Sequence, residues 1–444
     1  MSAVSGRVMM KIIFRVGYIV LGICATHAVL AAQEEKDKLP DTLTLEYALS
    51  LADEPHPRLM QREAEVRQAQ ADQEMVDTSN DTQISLEGRL RYVQPPDAFS
   101  YLSHNDSNIA LVVTKDLYDF GGLDARQKAA QAAVSASEYA FLDARSQRRL
   151  EIMQRFFDVL LADLQFNRYN EEMAVEYVSF DRMQKRKESG EVSDYQVKKQ
   201  EARYQQVRYL RVAAENEQRR TRALLAEALN HPGELPTDLA KPDLSILKRQ
   251  IPDYDDMLNL AMEHNYKLKA MQEKLQAAQQ QVAAARASEN PTLVGELGAY
   301  DYARDLGSYD KYRAGISVKI PLFAGSRVDA QTAKAQAGLY SIQAQLADTQ
   351  NSVRQRLLDT WLELQSLQAR RQEMKTLRDY RELNLDRSRA LYEMEVTADL
   401  GDAMVQITEA EYLSTQADYK MAEAWTRLDI LTGQLKLTQT TAKP

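Results

Sequence analysis

The sequence predicts a mainly α-helical chain with a transmembrane β part, built from two duplicated halves. Three observations carry this. Gly (16) and Pro (12) are scarce among 444 residues, and neither occurs from Leu123 to Ser189 or from Val192 to His231. Between Ser326 and Leu400, Gly338 is the one interruption. Two short segments alternate apolar and polar residues with the period of a strand, and each has a partner that alternates less cleanly. Finally, the same motifs recur in the same order roughly 205 residues apart, the signature of a tandem repeat.

The N-terminus reads as an export signal, residues 1–31. Arg7, Lys11 and Arg15 precede the apolar run "VGYIVLGICA", and "AVLAAQ" supplies small residues for cleavage after Ala31 or close to it. A retained anchor is the alternative, but the run is shorter than the ~20 residues a spanning helix needs. Met9 or Met10 offers a second start. The chain's one cysteine, Cys24, lies within this segment, so the processed chain carries no disulfide or thiol chemistry.

The first repeat occupies 32–230. "LEYALSLADEPHPRLMQREAEV" from Leu45 opens a helix over about 43–78, and "YDDMLNLAMEHNYKLKAMQEKL" from Tyr254 opens its copy over about 253–288. Leu49 answers Leu258, Leu51 answers Leu260, Ala52 answers Ala261 and Leu59 answers Leu268. A strand hairpin follows at 82–117. In "ISLEGRLRY" (84–92), Ile84, Leu86, Gly88, Leu90 and Tyr92 form one face against Ser85, Glu87, Arg89 and Arg91. Its partner is "NIALVVTK" from Asn108. The second hairpin, 291–322, pairs "TLVGELGAY" from Thr292 with "RAGISVKI" from Arg313. Such strands suit a tilted membrane crossing of ~9–11 residues. Tyr92, Phe99, Tyr101, Tyr300, Tyr302, Tyr309 and Tyr312 cluster at the connecting loops, where an interfacial aromatic belt is expected.

Each hairpin ends in a strand-to-helix junction. "TKDLYDFGGLDARQ" carries Gly121 and Gly122 to relax the bend, with Asp124 in the first helical turn. "VKIPLFAGSRVDAQ" uses Pro321 and Gly325 for the same bend. Long helices are predicted at 122–189 and 326–394, with shorter returning helices at 192–230 and 398–432. A helix over 122–189 would be about 100 Å long. Val353, Leu357, Trp361, Leu364, Leu367, Met374, Leu377, Tyr380 and Leu383 trace one apolar seam, as in coiled-coil packing. Trp361 reads as part of that packing. Residues 231–252, with Pro232, Pro236, Pro242 and Pro252 in or at the edge of the stretch, form an extended linker between the repeats. The second repeat covers 253–433, and 434–444 reads as a disordered tail.

Several functions are excluded. A net charge of −9 without a basic stripe argues against nucleic acid. The five histidines are scattered, with no metal-ligand spacing, no phosphate-binding glycine loop and no nucleophile motif. The sequence therefore gives no support for an enzyme or a cofactor.

Export signal, duplicated halves, two hairpins and paired long helices together resemble the TolC-like outer-membrane efflux protein family. The residues carrying the likeness are "LEYALSLADEPHPRL", the junctions "LYDFGG" and "PLFAGS", and the turn "SGEVSD", and it spans about 43–433. The resemblance implies a homotrimer whose twelve strands form a β-barrel in outer-membrane lipid of a Gram-negative cell, continued by a periplasmic α-helical barrel. An open sheet edge in lipid leaves backbone groups unsatisfied, which agrees with closure between chains. It further implies a passive exit duct for efflux or type I secretion, served by an inner-membrane transporter and a periplasmic adaptor (membrane fusion) protein. The adaptor would meet the helix-hairpin tips, Gly190, Glu191, Val192 and Ser193 in one repeat and Glu395, Val396 and Thr397 in the other.

In the family, the turn before the last helix carries an aspartate pair at the periplasmic entrance. "ADLGDAM" matches it with Asp399 and Asp402, which would form acidic rings in a trimer. The alternative is N-terminal helix charge, favoured by the macrodipole. Asp194 and Tyr392 match the family's entrance gating links. A family arginine between the tyrosine and the acids has no counterpart in "EMEV", and Met394 stands where Gly190 stands in the first repeat. An exported coiled-coil scaffold or adaptor without a pore is the competing function.

Overall fold

The computed structural model describes residues 39–97, 101, 103–233, 238–303, 310–322, 325–394 and 399–435. The expected export signal, Phe99, Tyr309, the tip residues Glu395, Val396 and Thr397, and the tail from 436 lie outside them.

The first repeat begins with a two-residue strand β1 (Thr42–Leu43) and helix α1 (Leu45–Ser50), capped where the Thr44 hydroxyl accepts the Tyr47 N–H. A 3₁₀ turn leads to α2 (Pro57–Asp77). The single helix expected over 43–78 is therefore two. Pro57 lacks an N–H and forces the preceding residue out of the helical region, so His56 is extended (φ −139°, ψ 142°). The same correction applies to the copy. There α5 (Tyr254–His264) and α6 (Tyr266–Ala287) are separated at Asn265. No proline acts here. Asn265 Oδ1 accepts the Leu268 N–H at 3.1 Å while its amide donates to the Leu431 carbonyl at 3.0 Å, so a buried side chain fixes the break.

Two long helices dominate. α3 (Gly122–Glu188) and α7 (Arg327–Glu393) are each 67 residues, about 100 Å at 1.5 Å per residue. Gly338 leaves α7 uninterrupted. Each is followed by a returning helix, α4 (Asp194–Ala228) and α8 (Leu400–Leu431). The repeats interleave: α3 packs against α2 and α4 of its own half and against α6 and α8 of the other. Buried Ala125, Ala129, Ala132 and Ala136 recur at helical spacing on α3, and α6 contributes buried Ala270, Ala277 and Ala278. Small residues let helix axes approach closely.

Two apolar cores share α8. The first gathers Leu43, Ile152, Phe156, Phe157, Leu225 and Leu229 around Tyr419 and Ala422 of α8. Phe157 and Tyr419 stack at 4.3 Å. The second gathers Leu268, Leu357 and Leu364 around Met421, Ala424, Trp425 and Leu428. The connecting segment is more than an extended linker. It contains β4 (Asp238–Leu239), parallel to β1, and a 3₁₀ turn at Ser245–Lys248. Ile246 and Leu247 pack on both cores. Arg249 binds the Asp429 carboxylate through bonds of 2.8–3.0 Å and lies over Trp425.

The apolar seam on α7 is buried at Val353, Leu357, Leu364 and Met374, then at Leu385. Tyr380 and Leu383, expected in the seam, are exposed. At 3.6 residues per turn a straight helix drifts off a strict heptad, and a step of eleven residues, Met374 to Leu385, returns to the same face. Trp361 packs edge-on against Tyr254 and donates to the Pro252 carbonyl at 3.0 Å.

The strands are β2 (Gln83–Arg89), β3 (Asn108–Tyr118), β5 (Thr292–Tyr302) and β6 (Tyr312–Lys319). β2 stops at Arg89, short of the expected Tyr92, which forms an isolated bridge to Asn105. The hairpins are fused into one antiparallel sheet, order β2-β3-β5-β6, through a β3–β5 ladder running from Asn108–Tyr302 to Tyr118–Leu293. Facing partners in an antiparallel sheet share a side. The register therefore puts Ile84, Leu86, Leu111, Val113, Leu297, Ile316 and Val318 on one face. Leu86 and Ile316 are 74% and 71% exposed, so nothing among the described residues covers that face. β2 and β6 each keep an edge with no partner strand among the described residues. No described helix is long and apolar enough to cross a membrane.

Beside the first core, Glu423 of α8 is pushed up to about 7, first by burial and then by Asp158 and Glu363, against the pull of Arg427. Its folded value lies above the ordinary 4.5. Its contribution to stability is thus complete below about 4.5 and is lost as pH rises through about 7. Glu423→Gln is expected to melt higher than wild type at pH 8, with the difference closing toward pH 5. Thermal unfolding followed by circular dichroism at both pH values checks this, and a pH-independent difference would contradict it.

Candidate functional site

The strand-to-helix junction after β3 turns on two successive left-handed residues, Phe120 (φ 54°) and Gly121 (φ 95°). Such a conformation is easy for glycine and strained for phenylalanine. Asn290, at the end of the α6 copy, donates to the Phe120 carbonyl at 2.9 Å and holds it there. Gly122 answers a different need. A Cβ on it would lie 2.7 Å from the Asp119 carboxylate, which pairs with Arg126. At the second junction Gly325 also has positive φ (63°), and Pro321 lies in the connection just after β6.

At the first hairpin tip Gly190 (φ 77°) donates to the Lys187 carbonyl, and the Glu191 N–H reaches back to Arg186, each at 2.9 Å. This pair of bonds closes a helix C-terminus around a left-handed residue. After half-buried Val192, Ser193 opens α4 in a reciprocal capping box with Gln196. Arg186–Glu191 and Lys187–Asp194 ion pairs cross the tip at 3.0 and 2.5 Å. The hydrogen bond and charge from Lys187 hold Asp194 below the usual carboxylate range. At the second tip, Met394 ends α7 with φ −84°, without the left-handed turn.

Asp399 is the N-cap of α8, its Oδ1 accepting the Asp402 N–H at 3.0 Å. Asp399 and Tyr392 line one groove with Asn170 and Arg182 of α3. Asp194 and Tyr392 share no hydrogen bond among the described residues. Asp402 has different company: its Oδ2 accepts from the Gln406 amide, whose oxygen accepts from Arg381 on α7. Burial and the neighbouring Asp399 push the Asp402 carboxyl up. Gly401 between the two acids packs tightly, since a Cβ there would meet Val175 at 2.9 Å. Sequence reasoning missed Arg381, Gln406 and Gly401. The glycine between two acids was the one local signal.

At the other end, the second face of the sheet carries Glu87, Arg89, Glu296 and Arg313. Tyr300 and Tyr302, expected in an interfacial belt beside the apolar face, stack on this polar face instead. Tyr300 lies flat over Gly298, where a Cβ would come within 2.5 Å of the ring, and it bonds Glu296 while Arg313 covers it. Even-numbered positions of β5 share the polar side, and glycine leaves room for the ring.

The amphipathic four-stranded sheet thus runs into two helices of about 100 Å each. The fold matches outer membrane protein VceC of Vibrio cholerae with a TM-score of 0.70 and 18% identity, over 88% of this chain and 96% of that one. It matches the CmeC outer membrane channel of Campylobacter jejuni with a TM-score of 0.71 and 15% identity, over 91% and 92%. Residues 257–434 match the family model described as outer membrane efflux protein. That match falls on the second repeat, and the whole chain shares the fold of these two outer membrane proteins. Protein CyaE of Bordetella pertussis is 26% identical over 222 residues, 49% of this chain and 47% of the relative. The chain thus spans about half the length of the curated relative it matches.

Two glycines separate conformational need from its absence. Neither Gly121 nor Gly338 has an atom within 4 Å of an added Cβ. Gly121→Ala is expected to cost about 1–2 kcal/mol, because only the left-handed backbone opposes it. Gly338→Ala, inside a helix, is expected to stabilise by roughly 0.5–1 kcal/mol. Opposite shifts in melting temperature check the pair.

Proposed function

We propose that three copies of this chain form an exit duct through the outer membrane. The observation that carries the reading is the four-stranded sheet, apolar on one face, polar on the other and unpaired at both edges. Lipid tolerates no open edge. Three sheets joined β2 to β6 make twelve strands, with the apolar faces turned to lipid and Arg89, Arg313 and Tyr300 turned to the lumen. The long helices would extend the tube across the periplasm. Tyr380 and Leu383 of α7 and Tyr195 and Tyr209 of α4, all exposed in the single chain, give further apolar area for neighbouring copies.

The duct is passive in this reading: an inner-membrane transporter supplies energy and a periplasmic adaptor engages the tips at Gly190–Ser193 and Glu395–Thr397. Asp399 and Asp402 stand near the narrow end, with Tyr392 and Asp194 as candidates for the contacts that close it. The junction glycines Gly121, Gly122 and Gly325, with Pro321, aim the helices from the barrel.

The expected result of cell fractionation is a heat-modifiable trimer in the outer membrane, and release with soluble periplasm would overturn the proposal. In planar bilayers the purified trimer should prefer cations. Asp399→Asn/Asp402→Asn should reduce that preference and weaken block by trivalent cations, whereas unchanged values would remove the acids from the entrance.

A further inference from the structure

Asp399 and Asp402 lie three residues apart, yet the structure gives them unlike surroundings. Asp399 uses one oxygen to cap α8 and lines the groove beside Tyr392. Arg182 on the facing wall makes no ion pair with it among the described residues. Asp402 is tied away from that groove. Gln406, one turn later on α8, donates to its carboxylate. The same amide accepts from the Arg381 guanidinium with its oxygen. An amide has one acceptor end and one donor end. Once Arg381 occupies the oxygen, the nitrogen must face Asp402.

Arg381 itself has no ion-paired carboxylate among the described residues, and its guanidinium sits 5.1 Å from the Tyr380 ring. Two acids of α3 stand nearby: Glu176 is already held by Arg203 at 3.1 Å and Gln200 at 2.6 Å, and Glu171 lines the groove with Asp399. The positive charge of Arg381 therefore falls on Asp402, through Gln406. This bridge runs between α7 and α8, across 25 residues of sequence, and supplies from α7 a cation that the turn "EMEV" lacks.

We infer that Arg381 and Gln406 are positioning residues that hold and offset Asp402, leaving Asp399 as the member of the pair whose charge acts at the entrance, beside Glu171 of α3. The inference rests on the duct reading above. Its consequence is an entrance to which this pair contributes one effective acidic ring, where the sequence spacing alone offers two.

The test measures cation-over-anion permeability of the purified trimer from reversal potentials in a KCl gradient. Asp399→Asn should lower the ratio, and Asp402→Asn alone should leave it nearly unchanged. Gln406→Leu should raise the ratio by roughly twofold, as an acid freed of its counter-charge joins the lumen field. Adding Asp402→Asn to Gln406→Leu should bring the ratio back, and Arg381→Lys, which keeps the charge, should stay closer to wild type than Arg381→Gln. A purely structural bridge would alter melting temperature without this dependence on Asp402. The inference alone fails if Gln406→Leu leaves the ratio unchanged while Asp399→Asn lowers it. It also fails if Asp402→Asn and Asp399→Asn act equally. An unchanged ratio in Asp399→Asn overturns this inference and the acidic entrance together, and a trimer that does not conduct overturns the duct itself.

Discussion

Backbone hydrogen bonding at the edges of the sheet is the constraint on which the rest depends. β2 and β6 each present a row of N–H and C=O groups with no partner strand among the described residues. Water can satisfy such groups, and hydrocarbon cannot. The apolar side chains on one face and the charged ones on the other give the sheet two unlike sides, one suited to hydrocarbon and one to water. Because β3 and β5 pair directly, the chain contributes one continuous ribbon rather than two separate hairpins. Only two edges of this sheet remain to be closed, and they are its first and last strands in sequence.

The helices set where that ribbon stands. Phe120 and Gly121 turn the chain sharply below β3, and Asn290 from the other repeat clasps the turn. This contact explains why two segments so far apart in sequence find a common register: α6 lies along α3, and β5 begins where α6 ends. Further along, α8 is the wedge. One side of it faces Phe157 and Ile152, the other Leu357 and Leu364. The connecting segment adds Ile246 and Leu247 to both sides, and Arg249 fastens it to Asp429. Duplication in the sequence therefore did not produce two separate bodies.

Much of this was legible in the residues. Absence of Gly and Pro marks the long helices, and period-two alternation marks β2 and β6. What stayed hidden depends on partners distant in sequence. The break at Pro57 was written in "EPHP", whereas the break at Asn265 comes from a hydrogen bond to Leu431 that no local pattern signals. The α7 seam was misread at Tyr380 and Leu383 because successive three-residue steps from Met374 turn off the buried face, whereas the eleven-residue step to Leu385 stays on it. Parity along β5 placed Tyr300 and Tyr302 with Glu296, but their number near a loop favoured a lipid-side belt. At the start of α8 the acid pair was visible and its unequal environments were not, since Gln406 and Arg381 meet across two helices.

The sharing of α8 has a consequence in time. Thr426 contacts Met153 from 273 positions further along the chain, and Tyr419 completes the stack on Phe157. A ribosome finishes α3 long before it begins α8. Through that interval Ile152, Phe156 and Phe157 have no lid, and the first repeat cannot mature ahead of the second. Native contacts at such separation also slow folding, because a long loop must close before any of them forms. The nascent chain thus spends most of its synthesis unfinished and dependent on being kept from other apolar surfaces until its last helix arrives.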